Sequence, residues 1–81
     1  MAVEAYILIQ TEVGHSANVT EAIRQLDGVT AADDVTGPYD VVVRVAADSV
    51  NDLGKMVVSR IQQVPGITRT LTCPVVNLSD D

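Results

Sequence analysis

Eighty-one residues, 47% of them apolar and none of them Phe or Trp, make a single domain spanning 1–81, too short for a two-domain regulator or a large enzyme. Eleven acidic residues against five basic ones give a net charge of -6 with no basic run, which excludes a direct nucleic-acid interface, since affinity for phosphates rests on Lys and Arg. The lone Cys73 cannot form an intrachain disulfide, no basic start and long apolar core open the chain, and no apolar run nears the ~20 residues of a membrane helix. The expected setting is reducing, soluble and cytoplasmic.

Valine is present in 15 copies, and β-branched residues suit a pleated, half-buried surface. Residues 3–10 (VEAYILIQ) alternate, with Val3, Ala5, Ile7 and Ile9 on one side and Glu4, Tyr6, Leu8 and Gln10 on the other, so they form the first strand. From Ser16 the period lengthens: Val19, Ala22, Ile23 and Leu26 line one face of a helix that ends at Asp27-Gly28. A weaker strand over 29–36, a Gly37-Pro38 turn and a doubly buried strand over 41–46 (VVVRVA) make a hairpin. Asp48 or Ser49 caps a second helix, whose stripe is Val50, Leu53, Val57, Ile61 and Val64 and which stops at Pro65-Gly66. Residues 67–76 follow as the last strand. Its alternation puts Ile67, Leu71, Cys73 and Val75 on one face and Thr68, Thr70 and Thr72 on the other, and Pro74 makes it an edge strand or a bulge.

The two helix-to-strand junctions, IRQLDGVT at 23–30 and IQQVPGIT at 61–68, match in residue type. A strand-helix-strand unit used twice in this length is the α+β, ferredoxin-like βαββαβ arrangement: a four-stranded antiparallel sheet with both helices on one face. The uncovered face is expected to carry Tyr6, Leu8, Val42 and the threonines of the last strand. That is too apolar to leave wet, so a second copy is expected to pack there. A domain this small buries only ~60% of its unfolded surface, which points the same way.

Candidates for catalysis are few. His15, the only histidine, has no second His or Cys beside it and reads as a surface residue. Asp33, Asp34 and Asp40 sit near each other across the hairpin, where a solvated acidic turn outweighs a hard-cation site for lack of regular ligand spacing. Cys73 reads as a small hydrophobe. The hairpin residues Gly37, Tyr39 and Asp40 offer close backbone approach, a flat phenol wall and a carboxylate for an ammonium, groups that suit a free α-amino acid. On those residues alone an ordinary turn, its Asp capping its own backbone, is the commoner arrangement.

The run Thr-Gly-Pro-Tyr-Asp-Val-Val-Val at 36–43, entering a third strand after a βαβ unit and followed by Pro-Gly-Ile at 65–67 and a Thr-rich strand, resembles the effector-binding (RAM) domain of the Lrp/AsnC transcriptional regulators. The resemblance covers about residues 3–78. Family regulators carry an N-terminal helix-turn-helix domain for which 81 residues leave no room, so the likeness is to a stand-alone form. It implies homodimers joined through their sheets into a dimeric α/β barrel, and further assembly into rings, commonly of four dimers. It also implies a small effector, typically an amino acid, bound between dimers at the Gly-x-Tyr-Asp hairpin. Gly37, Tyr39 and Asp40 match that signature, Thr70 and Thr72 match more loosely the strand whose hydroxyls line the cleft, and Pro38 fills a variable position. On this expectation the chain is not an enzyme and uses no metal or other cofactor; its other partners are full-length Lrp/AsnC regulators, through which it modulates transcription or amino-acid metabolism.

Two alternatives share the fold. Small dimeric α/β barrel enzymes of the monooxygenase or isomerase type place a His, Trp or Tyr inside the barrel, and here only Tyr6 is available. An ACT-like domain binds ligand on a glycine loop after the first strand, of which Gly14 is a weak version. The Asp80-Asp81 tail is expected to be disordered.

Overall fold

The computed structural model describes residues 2–76. The end of the expected 3–78 core and the Asp80-Asp81 tail lie outside the described residues. The elements run β1 (Val3–Thr11), α1 (Ser16–Arg24), β2 (Val29–Asp34), β3 (Val41–Ala47), α2 (Val50–Met56), a π-helical turn over Val57–Ile61, and β4 (Ile67–Pro74). The strands form one antiparallel sheet in the order β2-β3-β1-β4. This is the expected ferredoxin-like fold, with β4 at an edge as Pro74 required.

The two central strands bury their alternate residues completely. Ala5, Ile7 and Ile9 of β1 stand beside Val45, Val43 and Val41 of β3, and all six are inaccessible to solvent. Val19 and Ile23 from α1 and Leu53, Met56, Val57 and Ile61 from the second helix close over them. Full burial of one such aliphatic side chain stabilises by roughly 1.5–3 kcal/mol, so this layer holds the fold together. Two polar ties fix α1 on β2: Thr20 donates to Asp34 Oδ1 at 2.6 Å, and Arg24 grips the Ala32 carbonyl with Nε at 3.1 Å and Nη2 at 2.7 Å. Gly28 ends the α1 segment at φ +90°, a region L side chains avoid. Ser49 caps α2, its hydroxyl accepting from the Asp52 amide at 3.0 Å.

The second helix departs from the sequence expectation at two points. Val50 is 69% exposed, outside the buried stripe assigned to it. The helix also widens after Met56, where the Gln62 amide reaches back five residues to the Val57 carbonyl at 2.9 Å.

Candidate functional site

The larger correction concerns the two faces of β4. Its ladder with β1 sets Thr72 beside Ile7 and Thr70 beside Ile9, so these threonines share the helix-covered face with the core. Leu71 pairs with Leu8 and Cys73 with Tyr6, so both stand on the open face. The cause is a bulge: the register shifts between Gln10 and Thr11, placing an extra residue in β4 after Ile67. Ile67 therefore packs on the core, while the later odd-numbered residues point away from it. Cys73 is accordingly a half-buried open-face residue outside the helix-side core.

The open face now reads as rows across the sheet. Leu71, Leu8 and Val42 form one apolar row, with Leu71 43% exposed. Cys73, Tyr6 and Arg44 form the next. Arg44 lies 5.1 Å from the Tyr6 ring centroid, donates to the phenol oxygen at 2.6 Å and pairs with Glu4 Oε1 at 2.5 Å. The Glu4 hydrogen bond and then the Glu4 charge raise the Arg44 pKa above its already high usual value, so the cation persists at any working pH. Sequence reasoning passed over this cluster, although a single arginine inside VVVRVA was its visible signal.

The hairpin lies at one end of the sheet. Gly37 sits at φ +124° with open space where a Cβ would stand, so its requirement is one of backbone conformation alone. The turn is tied down from β1: the Gln10 side chain donates to the Pro38 carbonyl at 3.0 Å, and the Asp40 amide donates to the Ile9 carbonyl at 2.8 Å. Asp40 Oδ2 accepts from the Thr11 amide at 2.8 Å and from its hydroxyl at 3.3 Å, which leaves Oδ1 without a hydrogen bond among the described residues. Tyr39 is half-buried. Thr11, 29 residues from Asp40, gave no local signal of this role.

Thr70 and Asp40 flank Ile9 from opposite sides, two strand spacings or roughly 10 Å apart. Thr70 accepts from Gln62 Nε2 at 3.0 Å and lines a groove of about 230 Å³ with Gln62, Ile67, Thr68 and Arg69. Thr72, one row further along, lines a separate groove of about 290 Å³ under α2. Neither groove is lined by Gly37, Tyr39 or Asp40. A single chain thus places Thr70 and Thr72 on β4 and Gly37, Tyr39 and Asp40 in the β2–β3 connection, and neither of these grooves is lined by both sets. Asp33, Asp34 and Asp40 do not form a cluster: among the described residues no group of three or more His, Cys, Asp or Glu is placed to hold a metal. His15 is exposed, packs its Cβ over Gly66 and lies 3.8 Å from Glu12. No helix among the described residues is long and apolar enough to cross a membrane.

Residues 4–79 match the family model described as the Lrp/AsnC ligand binding domain. An uncharacterised HTH-type transcriptional regulator of Pyrococcus furiosus is 30% identical over 67% of this chain and 36% of its own length. A homocitrate synthase of Sulfurisphaera tokodaii is 31% identical over 86% of this chain but only 15% of its own. The chain therefore spans well under half the length of these curated relatives. Among solved structures, a Thermus thermophilus protein superposes with a TM-score of 0.89 at 30% identity, covering 98% of this chain and 99% of that one. Escherichia coli AsnC gives 0.88 at 25% identity, covering 98% and 54%. A Neisseria meningitidis transcriptional regulator solved as a complex with L-methionine gives 0.82 at 15% identity, covering 98% and 53%, a likeness of fold alone.

Proposed function

The chain belongs to the Lrp/AsnC ligand-binding-domain family, and on that premise we propose that it is an effector-binding module: it takes a free amino acid at the Gly37–Asp40 hairpin and acts in transcription regulation through assembly with other chains. The observation that carries this reading is the hairpin itself. Gly37 is held at φ +124° and the turn is anchored at Pro38 and at Asp40, so an exposed backbone and a half-buried phenol are pre-organised before any ligand arrives. Asp40 Oδ1 remains to accept an ammonium while Oδ2 keeps the loop in place. Thr70 and Thr72 supply hydroxyls from a different part of the surface. A cavity containing both sets needs a second copy, which supports a site formed between subunits. The L-methionine complex of the Neisseria regulator supports the ligand class.

Dimerisation through the open sheet face belongs to the same reading. Leu8, Val42 and Leu71 form an apolar row of the kind an interface covers, and beside it Arg44 is already paired with Glu4 and with the Tyr6 oxygen. Calorimetric titration of the full chain with each of the twenty standard amino acids is the test. Binding of at least one, weakened by Thr70→Val and by Tyr39→Ala, is expected. Flat heats for all twenty overturn the sensor reading.

A further inference from the structure

Charge is segregated along the chain. Residues 1–48 carry eight carboxylates against two cations, Arg24 and Arg44, and both cations are paired, with Glu21 and Glu4. Residues 49–76 reverse the balance, setting Lys55, Arg60 and Arg69 against Asp52 alone. None of these three cations takes part in an ion pair among the described residues. Two of them meet: Lys55 and Arg60 line one depression of about 240 Å³ together with Asp52, Met56 and Ser59. In a chain of net charge -6, two uncompensated cations on one small concave surface form a local attractor for anions.

Their meeting depends on the irregular backbone. Lys55 and Arg60 are five residues apart, a spacing that sets side chains about 140° apart around a regular helix. The widened turn over Val57–Ile61, closed by the Gln62 amide on the Val57 carbonyl at 2.9 Å, puts more residues into one turn and narrows that angle. Packing of Val57 and Ile61 does not call for it, since residues four apart share a face in a regular helix as well. No proline or glycine between Lys55 and Gln62 imposes it either. What the widening changes is the position of Arg60 relative to Lys55, and turns of this kind occur frequently at functional sites.

The remaining lining selects among anions. Met56, 9% exposed, supplies an apolar floor. Ser59 Oγ donates its proton to the Lys55 carbonyl at 2.5 Å, so toward the depression it can only accept, and the Asp52 carboxylate is an acceptor too. An ammonium as point charge beside a guanidinium fork suits a phosphate, while the two acceptors call for donors that a bare anion lacks and hydroxyl groups have. We propose that the depression formed by Asp52, Lys55, Met56, Ser59 and Arg60 binds a small hydroxylated phosphate ester, with Lys55 and Arg60 on the phosphate and Asp52 and Ser59 on the hydroxyls. The site is complete within one chain. It shares no lining residue with the Gly37–Asp40 hairpin or with the grooves at Thr70 and Thr72, so it goes beyond the amino-acid reading and does not depend on assembly.

Amide NMR of the isotope-labelled full chain, titrated with glycerol phosphate at constant ionic strength, tests it. Saturable shifts confined to residues 52–61 are expected, with the hairpin at 37–40 unmoved. Arg60→Gln and Lys55→Met should each weaken binding at least roughly tenfold, the loss of one charge-assisted contact, with thermal unfolding as the control for folding. Glycerol should shift nothing, and inorganic phosphate should bind more weakly than the ester. Absence of shifts over 52–61 at millimolar ester, or shifts undiminished in both variants, overturns the inference. Inorganic phosphate binding as tightly as glycerol phosphate overturns the assignment to an ester. An amino acid that moves the hairpin in the same spectra, while glycerol phosphate moves nothing, overturns this site and leaves the proposed function standing.

Discussion

Asp40 holds its loop in place and leaves Oδ1 without a hydrogen bond among the described residues. Its Oδ2 takes the Thr11 amide and hydroxyl, while its own amide caps the Ile9 carbonyl. Hydrogen bonds to a charged acceptor contribute ~1.5–3 kcal/mol when shielded, and Asp40 is half-buried, so Asp40→Ala should lower unfolding free energy by about 1–2 kcal/mol in a urea titration. Asp40→Asn should recover part of that stability, because an amide oxygen still accepts from Thr11, yet bind an ammonium-bearing effector poorly. Equal loss of stability in both variants would contradict the role given to Oδ2. The signature residues were legible in the sequence as a turn with suitable chemistry. The anchor was not, since Thr11 lies 29 positions away and only the ladder between β1 and β3 brings it to Asp40.

At the scale of the elements, the first strand, both helices and the central hairpin follow from periodicity, because each buries one face and the alternation or the 3.6-residue stripe records it. Two departures have physical causes that periodicity does not carry. The β4 bulge exchanges the faces of Leu71 and Cys73 with those of Thr70 and Thr72, and a one-residue slip leaves the strand pattern itself unchanged. The π-helical turn at Val57–Ile61 keeps Val57 and Ile61 on the core face, so the stripe reads as unbroken. Gly28 tests the α1 exit: a methyl there would meet Met56 Cε, lie 3.1 Å from the Ala46 carbonyl and hold φ +90°. The conformational penalty alone is roughly 1–2 kcal/mol. Gly28→Ala should therefore lower the melting temperature by about 10 °C, a shift of this size following from ~2 kcal/mol in a domain of such length. Ile7→Ala, which empties a fully buried site between β3 and β4, should cost ~2–5 kcal/mol and leave little folded protein.

For the whole molecule, the core is one thin layer of aliphatic side chains between a sheet and two short helices, and apolar surface is left over on both outer sides. The row of Leu8, Val42 and Leu71 crosses the open sheet face, and Val50 and Val58 stand exposed on the outer side of the second helix. An isolated copy leaves both wet. Leu71→Asp should convert a dimer into monomer and reduce thermal stability in a concentration-dependent way, since association and folding are linked by mass action; light scattering with melts at two protein concentrations reads both. The shortage of aromatic residues was visible in the composition, whereas the location of the uncovered apolar surface depended on the β4 register.

We propose an effector site built between copies, from the Gly37–Asp40 hairpin and the neighbouring chain. Native mass spectrometry of the full chain across an amino-acid titration reads subunit number and bound ligand in the same spectrum. Amino-acid adducts are expected on assembled species alone, approaching one per chain, with bare monomer at every ligand concentration. Adducts retained on the monomer, or assembled species that take up none of the twenty amino acids, would contradict it.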